Sequence, residues 1–161
     1  MTPFFGKYRG KVESNLDPLM QGRLQVSVPA VLGTEVPGWA MPCVPYAGPG
    51  VGFLFLPPVG AHVWVEFEGG DPDYPVWTGC FWGPGEAPQP AIPSIKTLKT
   101  EAFSLTVNET VPGATITTLE LQGGTKLTVD PTGATLAVPS GILALSGLQI
   151  TLNNDALVVL P

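Results

Sequence analysis

Two stretches of this chain alternate cleanly between apolar and polar positions. Leu24, Val26 and Val28 fall on one side of an extended backbone, with Gln25 and Ser27 on the other. Val63, Val65 and Phe67 share a side, with Glu66 and Glu68 opposite. A period of two is the signature of a half-buried strand. Apolar runs at Phe5 to Val12, Arg23 to Val28, Val51 to Leu56, His62 to Phe67 and Val76 to Trp82 predict about five strands. Turn residues separate them at Asn15 to Gly22, Gly48-Pro49-Gly50, Pro57 to Gly60 and Gly69 to Asp73. Five short strands suit a small closed barrel, of which the OB-fold is the common five-stranded kind.

Beyond residue 90 the pattern changes. A weak repeat of the form Gly-x-x-apolar-x-apolar runs through Gly124…Leu127-x-Val129, Gly133…Leu136-x-Val138 and Gly147…Ile150-x-Leu152. A shortened copy is Gly141-x-Leu143-x-Leu145. Such repeats mark a β-solenoid or an elongated β-prism. A thin strip of this kind has nothing within its own chain to pack on, and its exposed strand edges invite pairing. Winding identical chains about one axis meets both needs, so the pattern predicts an intertwined oligomer. Residue usage marks the same boundary. Of 14 aromatic residues only Phe103 lies beyond Trp82, whereas 12 of the 15 threonines follow residue 90. The expected organisation is a barrel over 1–83, a Pro-rich linker and entry segment over 84–102, and an elongated β-structure over 103–161.

Composition narrows the class. Charged residues are 12% of the 161, Gly and Pro number 20 and 19, and hydrophobic residues reach 44% with a mean hydropathy of +0.28. Disorder requires the reverse balance, and Gly and Pro at this density exclude an all-α fold. The net charge is −6, which disfavours a polyanionic partner such as nucleic acid. No apolar run reaches the length of a membrane helix, and Met1 to Lys7 lacks the layout of a signal peptide. Cys43 and Cys80 are expected to be buried free thiols; a disulfide or a metal site is the lesser alternative.

Few residues suggest chemistry. Glu66, Glu68, Asp71 and Asp73 could hold Ca²⁺, but Asp71-Pro72-Asp73 reads better as a solvated turn. His62 could be a catalytic base, yet no Ser or Cys nucleophile accompanies it, and a structural role is expected. Trp39, Trp64, Trp77 and Trp82 could stack bases or sugars. Their segment has only Lys7, Arg9, Lys11 and Arg23 against a larger number of carboxylates, so core or interface roles are expected. Arg9, Lys11 and Arg23 either pair across a subunit boundary or form an exposed strand face. Asn108-Glu109-Thr110 fits a glycosylation acceptor but needs a secretory route. No catalytic, cofactor or metal residue is expected. A single-stranded nucleic-acid or glycan-binding module and a carbohydrate-active enzyme stand as alternatives from other classes.

Four segments give the first part a resemblance. They are Gly22-Arg23-Leu24-Gln25-Val26-Ser27-Val28-Pro29; Trp39-Ala40 with Pro45 to Gly50; Phe55 to Val65; and Glu66 to Gly79, which contains Gly69-Gly70-Asp71-Pro72-Asp73. Together they resemble the OB domain of the central spike proteins of contractile tails. These occur in phage baseplates (baseplate assembly protein V), type VI secretion systems and extracellular injection systems. The likeness covers about residues 5–83. It implies a homotrimer whose second part is a triple-stranded β-helix, without the strict eight-residue repeat of the T-even spike and without room for its lysozyme domain. It implies a baseplate hub protein at the barrel end and a virion location in the tail baseplate, assembled in the host cytoplasm. A metal-binding His-x-His tip is absent. Leu157, Val158, Val159, Leu160 and Pro161 are therefore expected to form a blunt apolar tip for a PAAR-type cap. Contact with the target envelope would be transient, at contraction.

Overall fold

The computed structural model describes residues 3–35, 38–147, 149–153 and 156–159. The chain divides into two units, Met1–Ala87 and Pro88–Pro161. Both are β-structures.

Five strands of the first unit close into a barrel: β1 (Tyr8–Ser14), β2 (Leu24–Ser27), β3 (Trp39–Pro42), β6 (His62–Phe67) and β7 (Pro75–Phe81). Their order is β1-β2-β3-β7-β6, returning to β1. All neighbours are antiparallel except β3 and β7. This is the Greek-key arrangement of a five-stranded OB barrel. The register shifts between Val12 and Ser14 on β1 and between Val63 and Val65 at the β6–β7 pairing. Such bulges add the local twist that lets a short sheet bend closed. Gly10 marks a tight crossing. A Cβ there would lie 2.9 Å from Val65 Cγ2 and 3.0 Å from the Ser27 carbonyl oxygen.

The core is Val12, Leu24, Val26, Val28, Ala40, Val63, Val65, Phe67 and Trp77. Both alternating stretches point their apolar side inward, as period two requires. The core is mainly aliphatic, however. Of the aromatic residues described in this unit, only Phe67 and Trp77 are buried.

One strand assignment is corrected. Val51–Leu56 is not a barrel strand; that place belongs to Trp39–Pro42. Ala47–Gly48 (β4) and Val51–Gly52 (β5) pair as a small separate hairpin. Residues 53–56 follow as an exposed segment with Phe53 and Phe55 stacked at 4.8 Å. The physical reason is the lack of alternation: Phe53-Leu54-Phe55-Leu56 is apolar at every position, so no pleated register could place half of it toward solvent favourably.

The second unit is one eight-stranded antiparallel sheet in strict sequence order. Its strands are β8 (Ile95–Lys99), β9 (Phe103–Asn108), β10 (Ile116–Leu121), β11 (Lys126–Asp130), β12 (Gly133–Val138), β13 (Gly141–Ser146), β14 (Gln149–Leu152) and β15 (Leu157–Val159). The entry segment thus already carries a strand, β8. Two-residue connections, Pro131-Thr132 and Pro139-Ser140, link β11 to β12 and β12 to β13. Asp130 fixes the first of them. Its carboxylate accepts hydrogen bonds from the Thr132 amide, the Thr132 hydroxyl and the Gly133 amide. Backbone pairing in this sheet runs between successive strands of one chain. The internal strands are paired on both sides within the chain.

Candidate assembly surfaces

On the barrel, the most constrained side chains hold a loop. Asp17 and Arg23 form an ion pair with Nη2 2.6 Å from Oδ1, and only 3% and 16% of the two side chains remain exposed. The Asp17 carboxylate also accepts the backbone amides of Leu19, Gln21 and Arg23. The Arg23 guanidinium beside it, reinforced by those amides, holds the Asp17 carboxyl well below the usual carboxylate range. The one charged side chain of the 15–22 loop is therefore turned inward, while Leu16, Leu19 and Met20 project outward. Asn15 Nδ2 donates to the Pro57 carbonyl and ties this loop to the apolar segment after β5. The two form an exposed lobe with Tyr46, Val51, Phe53, Leu54 and Val59. No Asp, Glu, Lys or Arg occurs between residues 36 and 61.

Asp17 was missed at the level of sequence. Its signal is an Asp-Pro turn opener six residues before an arginine that begins a strand, and nothing in that spacing distinguishes it from a solvent-facing turn.

The four tryptophans separate. Trp77 is buried and donates from Nε1 to the Gly22 carbonyl, 3.1 Å away. The Arg23 guanidinium lies 5.4 Å from the Trp39 ring centre, and that of Arg9 is 5.4 Å from Trp64 and 5.0 Å from Phe81. Two rings that could have stacked bases are thus covered by the protein's own cations. Trp82 is exposed. Of the three basic residues whose role stood open, Arg23 is ion-paired within its own chain and Arg9 is packed on aromatic rings.

His62 stacks on Phe81 at 5.1 Å, with Nε2 3.8 Å from Glu86 Oε1. That is a packing role. The Asp71 carboxylate accepts the Asp73 amide at 3.0 Å, closing an Asx turn, and Glu66 pairs with Lys7 at 2.8 Å. Among the described residues no three His, Cys, Asp or Glu side chains converge as a metal site would require. Cys43 and Cys80 are free, as expected, but both are exposed rather than buried. Cys43 follows the last residue of β3 and Cys80 is the sixth residue of β7. Partial burial still pushes the Cys80 thiol up, which keeps it protonated at neutral pH.

In the sheet, the register brings leucines into one row. Leu98 pairs with Leu105, Leu105 with Leu119, and Leu119 with Leu127. Leu127 continues to Leu136, Leu136 to Leu143, Leu143 to Leu152 and Leu152 to Leu157. Each of the eight strands contributes one leucine to an unbroken ladder. The adjacent position on the opposite face carries a threonine ladder: Thr97, Thr106, Thr118, Thr128, Thr135 and Thr151 lie in register, interrupted by Ala144 and ended by Val158. Charge follows the same division. Lys99, Glu120, Lys126 and Asp130 share the threonine face. Among the described strand residues, Lys96 alone brings charge to the leucine face, and it is paired with Glu109.

The leucine face is uncovered. Leu98, Leu105, Leu127, Leu136 and Leu152 are each 38–40% exposed. Of the residues expected at the tip, Leu157, Val158 and Val159 form the edge strand β15. Leu157 and Val159 fall on the leucine face, being paired with Leu152 and Ile150, and Val158 falls on the threonine face, paired with Thr151. Leu160 and Pro161 lie outside the described residues.

Residues 8–82 match the family model of the type VI secretion system/phage-baseplate injector OB domain. The matched span takes in all five barrel strands, and the resemblance read from the sequence holds over it. That family is one of structural baseplate components. No curated protein matches the chain.

Proposed function

We propose that this chain is a structural, homotrimeric central spike of a phage tail baseplate, driven into the host envelope when the tail sheath contracts. The observation that supports it is a junction of two unlike units: a barrel of the injector OB family joined to a one-layer sheet whose apolar face has no cover in its own chain. A barrel with a complete core can stand alone. A single sheet cannot bury its face by itself, and symmetric association of identical chains is the usual remedy.

In this reading the mechanism is mechanical and no residue performs chemistry. Continuous antiparallel ladders give the needle its stiffness, and apolar packing between chains excludes water from its axis. The uncharged lobe of Leu19, Met20, Phe53 and Leu54 provides contact with neighbouring baseplate chains, a hub protein among them. The C-terminal residues, Leu157 to Pro161, receive a separate PAAR-type cap. The same parts would serve in the spike of a type VI or extracellular injection system, and the family description names the type VI setting beside the phage baseplate.

Light scattering during size exclusion tests the reading. The expected particle has about three times the 16.8 kDa chain mass. A particle of a single chain at micromolar concentration would sink it.

A further inference from the structure

We infer that His62 and Glu86 form a proton-operated latch where the chain leaves the barrel: a charged imidazole pins the turn at 83–86 to β6, and a neutral one lets it go. The latch lies within the first unit and holds for one chain or several.

The geometry is that of one carboxylate with two neighbours. His62 opens β6, Phe81 ends β7, and the two are paired across the ladder. The imidazole is stacked on the Phe81 ring with its plane tilted 23° from it, so packing fixes where the ring nitrogens stand. Beyond β7 the chain turns at once. The Glu86 amide donates to the Gly83 carbonyl at 3.2 Å, and the Gly83 amide donates to Glu86 Oε2 at 2.6 Å. The other carboxylate oxygen, Oε1, is 3.8 Å from His62 Nε2. Gly83 makes this possible, because a Cβ there would meet both Cδ and Oε2 of Glu86 at 3.0 Å. A neutral imidazole at 3.8 Å is beyond hydrogen-bond length. An imidazolium at the same place is attracted to the carboxylate by its charge and can close the gap. Histidine is the side chain that gains its charge between about pH 5 and 8, and His62 is the chain's one histidine.

The other groups around the ring leave Glu86 as its counter-charge. From β1, Lys11 stands opposite His62 in the ladder, and Arg9 lies over Trp64 and Phe81. Both are cations. On β6 itself, Glu66 is engaged by Lys7. β7 brings Cys80, whose raised thiol is uncharged at neutral pH. Among the described residues, Glu86 is the carboxylate in ion-pair reach of His62. The His62 and Glu86 side chains are 35% and 53% exposed. Protons therefore exchange freely, and the pair has the modest weight of a surface pair, about a two- to fivefold change in how often the turn opens.

Backbone amide exchange tests the latch in the full-length protein. Labelling at about pH 5.5 and about pH 7.5, with times scaled to the intrinsic exchange rate at each, is read by mass spectrometry for segment 82–87 and for β6 as the reference. Glu86→Gln keeps an oxygen for the Gly83 amide and removes the charge. His62→Gln removes the proton site. In the parent protein, scaled exchange of 82–87 is expected to be about two to five times slower at the acid pH, with β6 unchanged. In both variants that difference is expected to vanish. Equal scaled exchange at the two pH values in the parent overturns the latch, and this arm needs no substitution. A pH difference that survives either substitution overturns it by assigning the effect to other groups. A difference shared by β6 overturns it by making the effect a property of the whole barrel.

Discussion

Asp17 occupies a position where one carboxylate decides the shape of a loop. It collects a guanidinium and three backbone amides, so its ionised form is worth more in the folded barrel than in the unfolded chain. The direction of the consequence follows from its depressed pKa. The stabilisation is fully present above the ordinary value of 3.8 and is lost as pH falls from there toward the folded-state value. Asp17→Asn retains the shape and removes the charge. It should lower the urea midpoint at pH 7, and the gap from the parent protein should begin to narrow as pH falls below about 4 and keep narrowing toward the depressed folded-state value. A gap that stays constant over that range would mean that the carboxylate acts through shape alone. Neither Asp17 nor the fate of Arg23 could be read from the sequence, because an ion pair six residues apart across a non-helical loop has no periodicity to betray it. The tryptophans were legible only as a group. Trp77 is core because it lies on the inward face of β7, whereas Trp82 lies one residue beyond that strand's end.

At the scale of single elements, alternation was the reliable guide. Leu24-x-Val26-x-Val28 and Val63-x-Val65-x-Phe67 became β2 and β6 with their apolar sides in the core, because a pleated strand leaves no other choice. The run at Val51–Leu56 misled for the complementary reason: continuous apolarity also occurs in a segment that lies outside the barrel sheet with its side chains exposed. The Gly-x-x-apolar-x-apolar repeat turned out to be the footprint of one face. Leu127 and Val129, Leu136 and Val138, and Leu143 and Leu145 all fall on the leucine side of the sheet. The unbroken ladder was not legible, since it needs the register, and register comes from hairpin lengths such as Pro131-Thr132. Two substitutions probe the barrel elements. Leu24→Ala empties a fully buried position and should cost about 2–5 kcal/mol in chemical denaturation. Gly10→Ala adds one methyl where β1 meets Val65 and the Ser27 carbonyl, and should cost about 1–3 kcal/mol through overpacking. A Gly10→Ala protein as stable as the parent would show that β1 can shift outward without loss.

For the whole molecule, the two units differ in what stabilises them, and the difference is measurable without any substitution. The barrel carries its own core, so its stability is a property of one chain. On the trimeric reading proposed above, the sheet gains its core by meeting copies, and its stability then follows mass action. For a trimer that unfolds to single chains, a hundredfold dilution removes about 2 kcal/mol per chain. All four tryptophans precede residue 90. Tryptophan fluorescence therefore follows the barrel, while far-ultraviolet circular dichroism follows both units. Thermal unfolding at two concentrations a hundredfold apart should show a dichroism transition that moves to lower temperature on dilution and a fluorescence transition that does not. Because the leucine face is apolar and its one charged neighbour is already paired, added salt should leave the concentration-dependent transition in place or raise it. If both transitions moved together, the barrel would share in the association, and the apolar lobe at Leu19, Met20, Phe53 and Leu54 would become the next surface to alter. If neither moved, the leucine face would have to be stable in water as a single layer, against the rule that a sheet must bury one of its faces.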